Sequence, residues 1–257
     1  MKRAVLWLLA MVISIGVTLL VFFPATWLAA AVERQTGGRL TLGDAQGTLW
    51  RGSAFIGGAA SSNGAVTPLL PGRFAWTLSP LVLAGSVNMR LENEAALAQP
   101  LNLRGNWKQW LLSPDSVLLP APALAGLGAP LNTIAPSGTM RLSWTTLELV
   151  LADRNVAING RTMLEMTDIG SRLSAIRPLG SYALALDWRG LEAQVTLTTL
   201  KGPLLLDGSG ALEHGRLRFS GQAQAATGYE ETLANLLNLL GQRRMNRGNN
   251  IIALEFK

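Results

Sequence analysis

The chain has no cysteine and one histidine among its 257 residues, and only 15% of the residues carry charge. Without cysteine there is no disulfide scaffold, no thiolate metal site and no thiol nucleophile. The single histidine, His214 in Glu213-His214-Gly215, reads as a hairpin-tip residue and leaves transition-metal ligation to carboxylates alone. There is no G-x-S-x-G elbow, and Gly208-Ser209-Gly210 is too short to supply one. The acidic residues are scattered. Asp187, Asp207 and Glu213 are the acidic residues that could converge, with solvated or salt-bridged roles as the default. The chain thus reads as a non-enzyme with no catalytic residues, no cofactor and no metal. Soluble domains average about 25% charge, so a chain that is 49% hydrophobic is either partly embedded in lipid or surfaced with neutral groups.

What is present is uneven. From Ala4 to Phe23 no charge interrupts the sequence, and at 1.5 Å per helical residue that run spans about 30 Å, one hydrocarbon thickness. Lys2 and Arg3 precede it, and positive charge stays on the cytoplasmic side. The expected order is a cytoplasmic start (1–3), a transmembrane helix (4–23), a juxtamembrane segment (24–38) and an exported β-rich domain (39–257). Signal peptides have a shorter apolar region, about 7 to 15 residues, so an uncleaved anchor is favoured over cleavage near Ala29-Ala30-Ala31.

After a short helix over Pro24–Arg34, stopped by Gly37-Gly38, the period changes from helix to strand. Alternation over Arg39–Leu42, Gly47–Gly52, Arg73–Leu78, Leu81–Leu83 and Val87–Leu91 predicts half-buried strands. Between Glu92 and Pro136 prolines gather at Pro100, Pro114, Pro120, Pro122, Pro130 and Pro136, which predicts a connection with short helices at Asn106–Leu112 and Ala121–Leu127. Strands resume from Gly138 to Ala225. Turns are expected at Asn159-Gly160, Arg189-Gly190 and His214-Gly215, with replacement of Gly160 by valine predicted to destabilise the first. Thr227 and Glu230 form a capping-box pattern for a helix closed by Gly241, and Ile251–Phe256 reads as a final strand. The echo between Gly72–Trp76 and Gly138–Trp144, and between Trp50-Arg51-Gly52 and Trp188-Arg189-Gly190, raises two similar halves, about 39–95 and 137–257.

The net charge of +6 does not imply nucleic acid. Of 22 basic residues 18 are arginines placed singly along strands, and nucleic-acid binders concentrate charge on one face. Arg243, Arg244 and Arg247 form the one local cluster, a candidate for interaction with anionic lipid or an acidic partner and equally a complement to a helix C-terminus. Trp50, Trp76, Trp144 and Trp188 read as sheet-packing anchors. Strands with so few charges need covering or pairing, which points to partner binding.

Taken in order, Gly47-Thr48-Leu49-Trp50-Arg51-Gly52, Trp76-Thr77-Leu78-Ser79-Pro80, Leu179-Gly180-Ser181-Tyr182, Gly202-Pro203-Leu204, Gly208-Ser209-Gly210, Phe219-Ser220-Gly221 and Leu236–Gly241 resemble the inner-membrane protein N family of bacterial type II secretion (general secretion pathway protein N). Gly47, Trp50, Gly52, Trp76, Pro80, Gly202 and Pro203 are the candidate structural signature. The resemblance implies a single-pass inner-membrane protein, N-terminus cytoplasmic and bulk periplasmic, assisting export of folded proteins across the outer membrane. Other secretion components and membrane lipid are the implied partners. The resemblance also suggests an antiparallel, bent β-meander similar to AsmA-type lipid-groove proteins, whose alternative function is to hold a lipid or acyl chain in an apolar trough.

Overall fold

The computed structural model describes residues 7, 11, 14, 16–18, 20–59, 66–127, 133, 135–152, 155–213, 215–240, 242–246 and 249–256. Helix α1 (Ala25–Gln35) opens the main body, and Thr36 with Gly37 and Gly38 turns the chain into the sheet. The strands are β1 (Leu40–Gly47), β2 (Arg51–Gly58), β3 (Thr67–Pro68), β4 (Phe74–Leu78), β5 (Ser86–Glu92), β6 (Leu101–Asn106), β7 (Gln109–Leu112) and β8 (Asp115–Pro120). They continue as β9 (Ser137–Trp144), β10 (Leu147–Ala152), β11 (Asn155–Gly170), β12 (Gly180–Gly190), β13 (Glu192–Lys201), β14 (Leu204–Glu213) and β15 (Arg216–Ala225). Helix α2 (Glu230–Leu240) precedes β16 (Gln242–Asn246) and β17 (Asn249–Phe256). Short 3-10 helices cover Pro80–Ala84 and Ala121–Leu127.

All the described strands belong to one antiparallel sheet. The pairing path runs β1, β2, β4, β5, β6, β7, β10, β11, β12, β13, β14, β15, β17, β16. The remaining strands continue neighbours lengthwise. β10 lies along residues 155–159 of β11, and β9 along residues 162–170. In the same way β7 pairs with β10 and β8 with β9. Leu97 bridges Val117, extending the line of β6 backward beside β8.

The breaks line up. Pro100 precedes β6, Ser113-Pro114 separates β7 from β8, Thr145-Thr146 separates β9 from β10, and Gly160 lies inside β11 opposite that last break. Together they form a crease across the sheet. Proline costs nothing there, because the ladder has no use for its missing N–H. Gly160 has φ +135°, and a Cβ on it would sit 2.7 Å from Leu147 Cδ2 and 2.9 Å from the Thr146 carbonyl oxygen. Beyond the crease β8 and β9 fold over β2, β4 and β5, so that Val117, Leu119, Leu142 and Trp144 meet Phe74, Ile56 and Leu91.

Several expectations are corrected. The proline-rich span holds β6, β7 and β8, and Asn106–Leu112 is the end of β6, a turn and β7 rather than a helix, because the prolines bracket strands rather than interrupt them. Gly47–Gly52 is the β1–β2 connection, with Gly47 paired to Gly52, and Leu81–Leu83 is 3-10 helix opened by Pro80. Asn159-Gly160 lies within β11 rather than at a turn, since β10 reaches β11 through residues 153–154, which lie outside the described residues. The capping box is shifted: α2 starts at Glu230, whose Oε2 accepts the Gly228 N–H at 2.8 Å. The expected turns near Gly190 and Gly215 and the final strand are found. The short helix expected over Pro24–Arg34 matches α1, and Ala121–Leu127 is a short helix as expected.

Of the expected anchor, only residues 7, 11, 14, 16–18 and 20–23 are described, and Lys2 and Arg3 lie outside them. Among the described residues no helix is long and apolar enough to cross a membrane.

Gly160→Val is expected to cost about 3–5 kcal/mol, combining the positive φ with overpacking against Leu147. Gly190→Val, at φ +71° with open space around it, should cost about 1–2 kcal/mol. Chemical denaturation of the two variants checks this, and equal losses would remove the close approach at the crease as the cause.

Candidate functional site: an apolar inner face and its polar reverse

In an antiparallel pair, residues directly opposite share a face, so the registers define two surfaces. One row crosses the whole path. Trp76 lies opposite Leu91, which is paired with Leu101; Leu103 is opposite Leu112, then Leu147. Leu149 faces Ile158, and Gly160 faces Trp188. The row continues through Leu186 opposite Val195 and Gly210 opposite Phe219. Offsetting by one residue gives Arg90, Arg104, Glu148, Arg161, Asp187, Gln194 and Arg218. One surface is therefore hydrocarbon and the reverse is mainly polar, with the exposed Leu111 between Arg104 and Glu148.

Both ends of the apolar face are covered. Helix α1 packs on β1, with Ala25 and Leu28 against Ala54, Trp76 and Met89. At the other end α2 lays Leu233, Leu236 and Leu237 against Val195, Leu204, Phe219 and Ile252. Between them Leu101, Leu103, Trp110, Leu112, Leu149 and Ile158 are only half-buried. This strip is an apolar part of the face left partly open between its two covers.

The polar reverse is held by cross-strand bonds. Gln109 and Asn159 both donate to Glu148, and Asn159 Oδ1 accepts the Gly190 N–H at 2.9 Å, which straps β7, β10, β11 and β12. Arg161 pairs with Asp187, and Arg218 with Glu213. The hydrogen bond to Asp187, more than the charge itself, raises the Arg161 guanidinium above its usual value. An open depression of about 500 Å³ at the crease is lined by Thr145, Gly160, Arg161, Asp187, Trp188, Arg189 and Gln194.

Asp187, Asp207 and Glu213 are not brought together. Asp187 serves Arg161, Glu213 serves Arg218, and Asp207 Oδ1 accepts the Thr199 N–H at 3.1 Å. Among the described residues no three His, Asp or Glu side chains converge as metal ligands. Arg243 and Arg244 follow the end of α2 at Leu240 and lie in β16, a strand paired with β17. Arg247, Gly241 and His214 lie outside the described residues.

The signature residues fall into packing clusters. Gly47 pairs with Gly52, which lies opposite Trp76, and a Cβ on Gly52 would sit 2.4 Å from the Trp76 ring. The Trp76 indole donates to the Leu49 carbonyl oxygen at 3.0 Å, and the Leu78 N–H donates to that of Trp50 at 2.7 Å, which brings Pro80 alongside. Gly202-Pro203 is remote from them, in the β13–β14 turn. There the Leu204 N–H donates to the Leu179 carbonyl and the Tyr182 hydroxyl to the Leu204 carbonyl at 3.0 Å. Trp144 donates to the Ser113 carbonyl at the crease and Trp188 to the Thr162 hydroxyl. Sequence reasoning singled out these tryptophans but missed Leu103 and Trp110, whose alternation was masked by the prolines nearby, and it placed Leu149 among strands without marking it as half-open.

Burial raises the Tyr182 hydroxyl well above the ordinary tyrosine value of 10.0. The unfolded chain then loses this proton at lower pH than the folded one, so its contribution to stability is full below pH 10 and falls as pH rises. Thermal unfolding between about pH 9 and 11 should decline less steeply in Tyr182→Phe than in the wild type; identical slopes would show that the folded state does not hold this proton.

Searches of the curated proteins and of the solved structures returned no match. A family model does match: that of type II secretion system protein N, over residues 38–251. The matched span begins just before β1 and ends inside β17, taking in the crease, the apolar face and every signature cluster. The chain belongs to the family of type II secretion system protein N.

Proposed function

We propose that this chain is an accessory subunit of type II secretion, held in the inner membrane by residues 4–23 with Lys2 and Arg3 cytoplasmic, whose periplasmic sheet binds other components of the machine. The family match over nearly the entire sheet carries this reading. The exposed apolar side chains of Trp7, Met11, Val17 and Val21 support the anchor, since an apolar face left open on a helix suits lipid. The half-open strip at Leu103, Trp110 and Leu149 supports binding, because a partner covering it removes the remaining hydrocarbon from water. Tethering raises the effective concentration of neighbouring subunits, so a modest interface suffices.

The same strip favours a second reading, in which it receives one acyl chain along its length. Native mass spectrometry of the detergent-extracted protein separates the two, since bound lipid is expected only for the second.

Cells carrying Leu103→Asp together with Leu149→Asp are expected to accumulate the exported enzymes in the periplasm while synthesising them normally. The folded state of the variant is verified by protease resistance. Normal export by a folded variant, or by cells lacking the chain altogether, would overturn the reading.

A further inference from the structure

Strands β1, β4 and β6 run toward one rim of the sheet, and β2, β5 and β7 run away from it. Their connections are residues 48–50, 79–85 and 107–108. Hydrogen bonds join these connections to one another and to the segment preceding α1. The Leu49 N–H donates to the Phe23 carbonyl and the Trp50 indole to the Leu20 carbonyl, each at 2.8 Å. Trp50 in turn accepts from Leu78, and the Trp107 indole donates to the Val82 carbonyl at 2.6 Å.

The rim so assembled has an unusual surface. Leu81, Leu83 and Trp107 are 61%, 54% and 59% exposed, and beside them Phe22 is 67% and Trp27 62% exposed. Both rim indoles have spent their only polar atom inside the protein, so the exposed part of the Trp107 ring is hydrocarbon. Residues 79–85 carry no charge, and among the described residues the charges in or directly flanking these three connections are the exposed Arg51 and Lys108, both positive. Apolar side chains with tryptophan and a fringe of cations match the boundary between anionic headgroups and acyl chains.

We propose that this rim rests on the bilayer surface, with Leu81, Leu83 and Trp107 entering the headgroup boundary and Arg51 and Lys108 meeting lipid phosphates. The inference rests on the reading of residues 4–23 as an anchor, which delivers this rim and no other to the membrane. Strands β2, β5 and β7 then start at the lipid and run away from it, carrying the half-open strip outward.

The absence of cysteine allows one probe per molecule. The full chain is reconstituted in nanodiscs of phosphatidylethanolamine and phosphatidylglycerol, with an environment-sensitive fluorophore at Val17→Cys, Leu81→Cys, Leu83→Cys or Leu200→Cys. Leu200 is 60% exposed near the opposite rim. Lipids bearing a nitroxide just below the headgroup should quench most of the fluorescence at 81 and 83 and at 17, and leave 200 unchanged. Quenching at 17 without quenching at 81 and 83 overturns the rim contact and keeps the anchor, leaving a protein partner as the remaining occupant. No quenching at 17 overturns the anchor and the rim contact with it. Quenching at 200 equal to that at 81 shows indiscriminate adsorption and also overturns it.

Discussion

The architecture depends on the crease. A sheet that is apolar on one side has to hide that side, and here four successive strand lines bend at residues 100, 113–114, 145–146 and 160, so that the outer part folds over β2, β4 and β5. The bend needs backbone that leaves the ladder without stranding buried polar groups. Pro100 and Pro114 lack the donor in question, the Ser113 hydroxyl accepts the Asn102 N–H at 2.9 Å, and the Thr145 hydroxyl accepts that of Arg161 at 3.2 Å. Gly160 gives the Leu147 side chain the space a Cβ would take.

Around this bend the fold is local. Most strands pair with the next in sequence, so little loop entropy is spent on each addition. The two helices act as covers at the ends of the apolar face, α1 against Trp76 and α2 against Phe219. The low overall charge follows from the same plan. The reverse of the sheet interleaves single ion pairs with Gln, Asn, Ser and Thr, as in the strap through Gln109, Glu148 and Asn159. Such a surface stays hydrated with few charges, and it keeps the arginines too dispersed to form a stripe for nucleic acid.

The residues that carry the family resemblance are architectural. Gly52 lies under the Trp76 ring, and the Phe219 ring lies across Gly208 and Gly221, where a Cβ would come within 2.8 Å of it. Tyr182 ties β12 to β14 through the Leu204 carbonyl. A family recognised through such packing reads as one selected for a shape and a surface. The half-open apolar strip and the rim beside Leu20 are the surfaces that shape presents.

Composition and periodicity alone determined the β-rich class, a short helix over about Pro24–Arg34, the turns near Gly190 and Gly215 and the final strand, because each depends on neighbours a few residues apart. The absence of thiol chemistry was equally plain from composition. The crease was hidden, because proline and glycine mark a turn and a bend with the same letters, and only the partner strand distinguishes them. Asn159-Gly160 shows this: a hairpin pattern in isolation, it becomes the middle of β11 once β12 pairs along both sides of it. The candidate surfaces were likewise decided by tertiary structure. Which leucines stay half-open, and which connections share a rim with residues 20–24, depends on strand register and on where α1 and α2 come to rest, and neither is encoded in any short stretch of the chain.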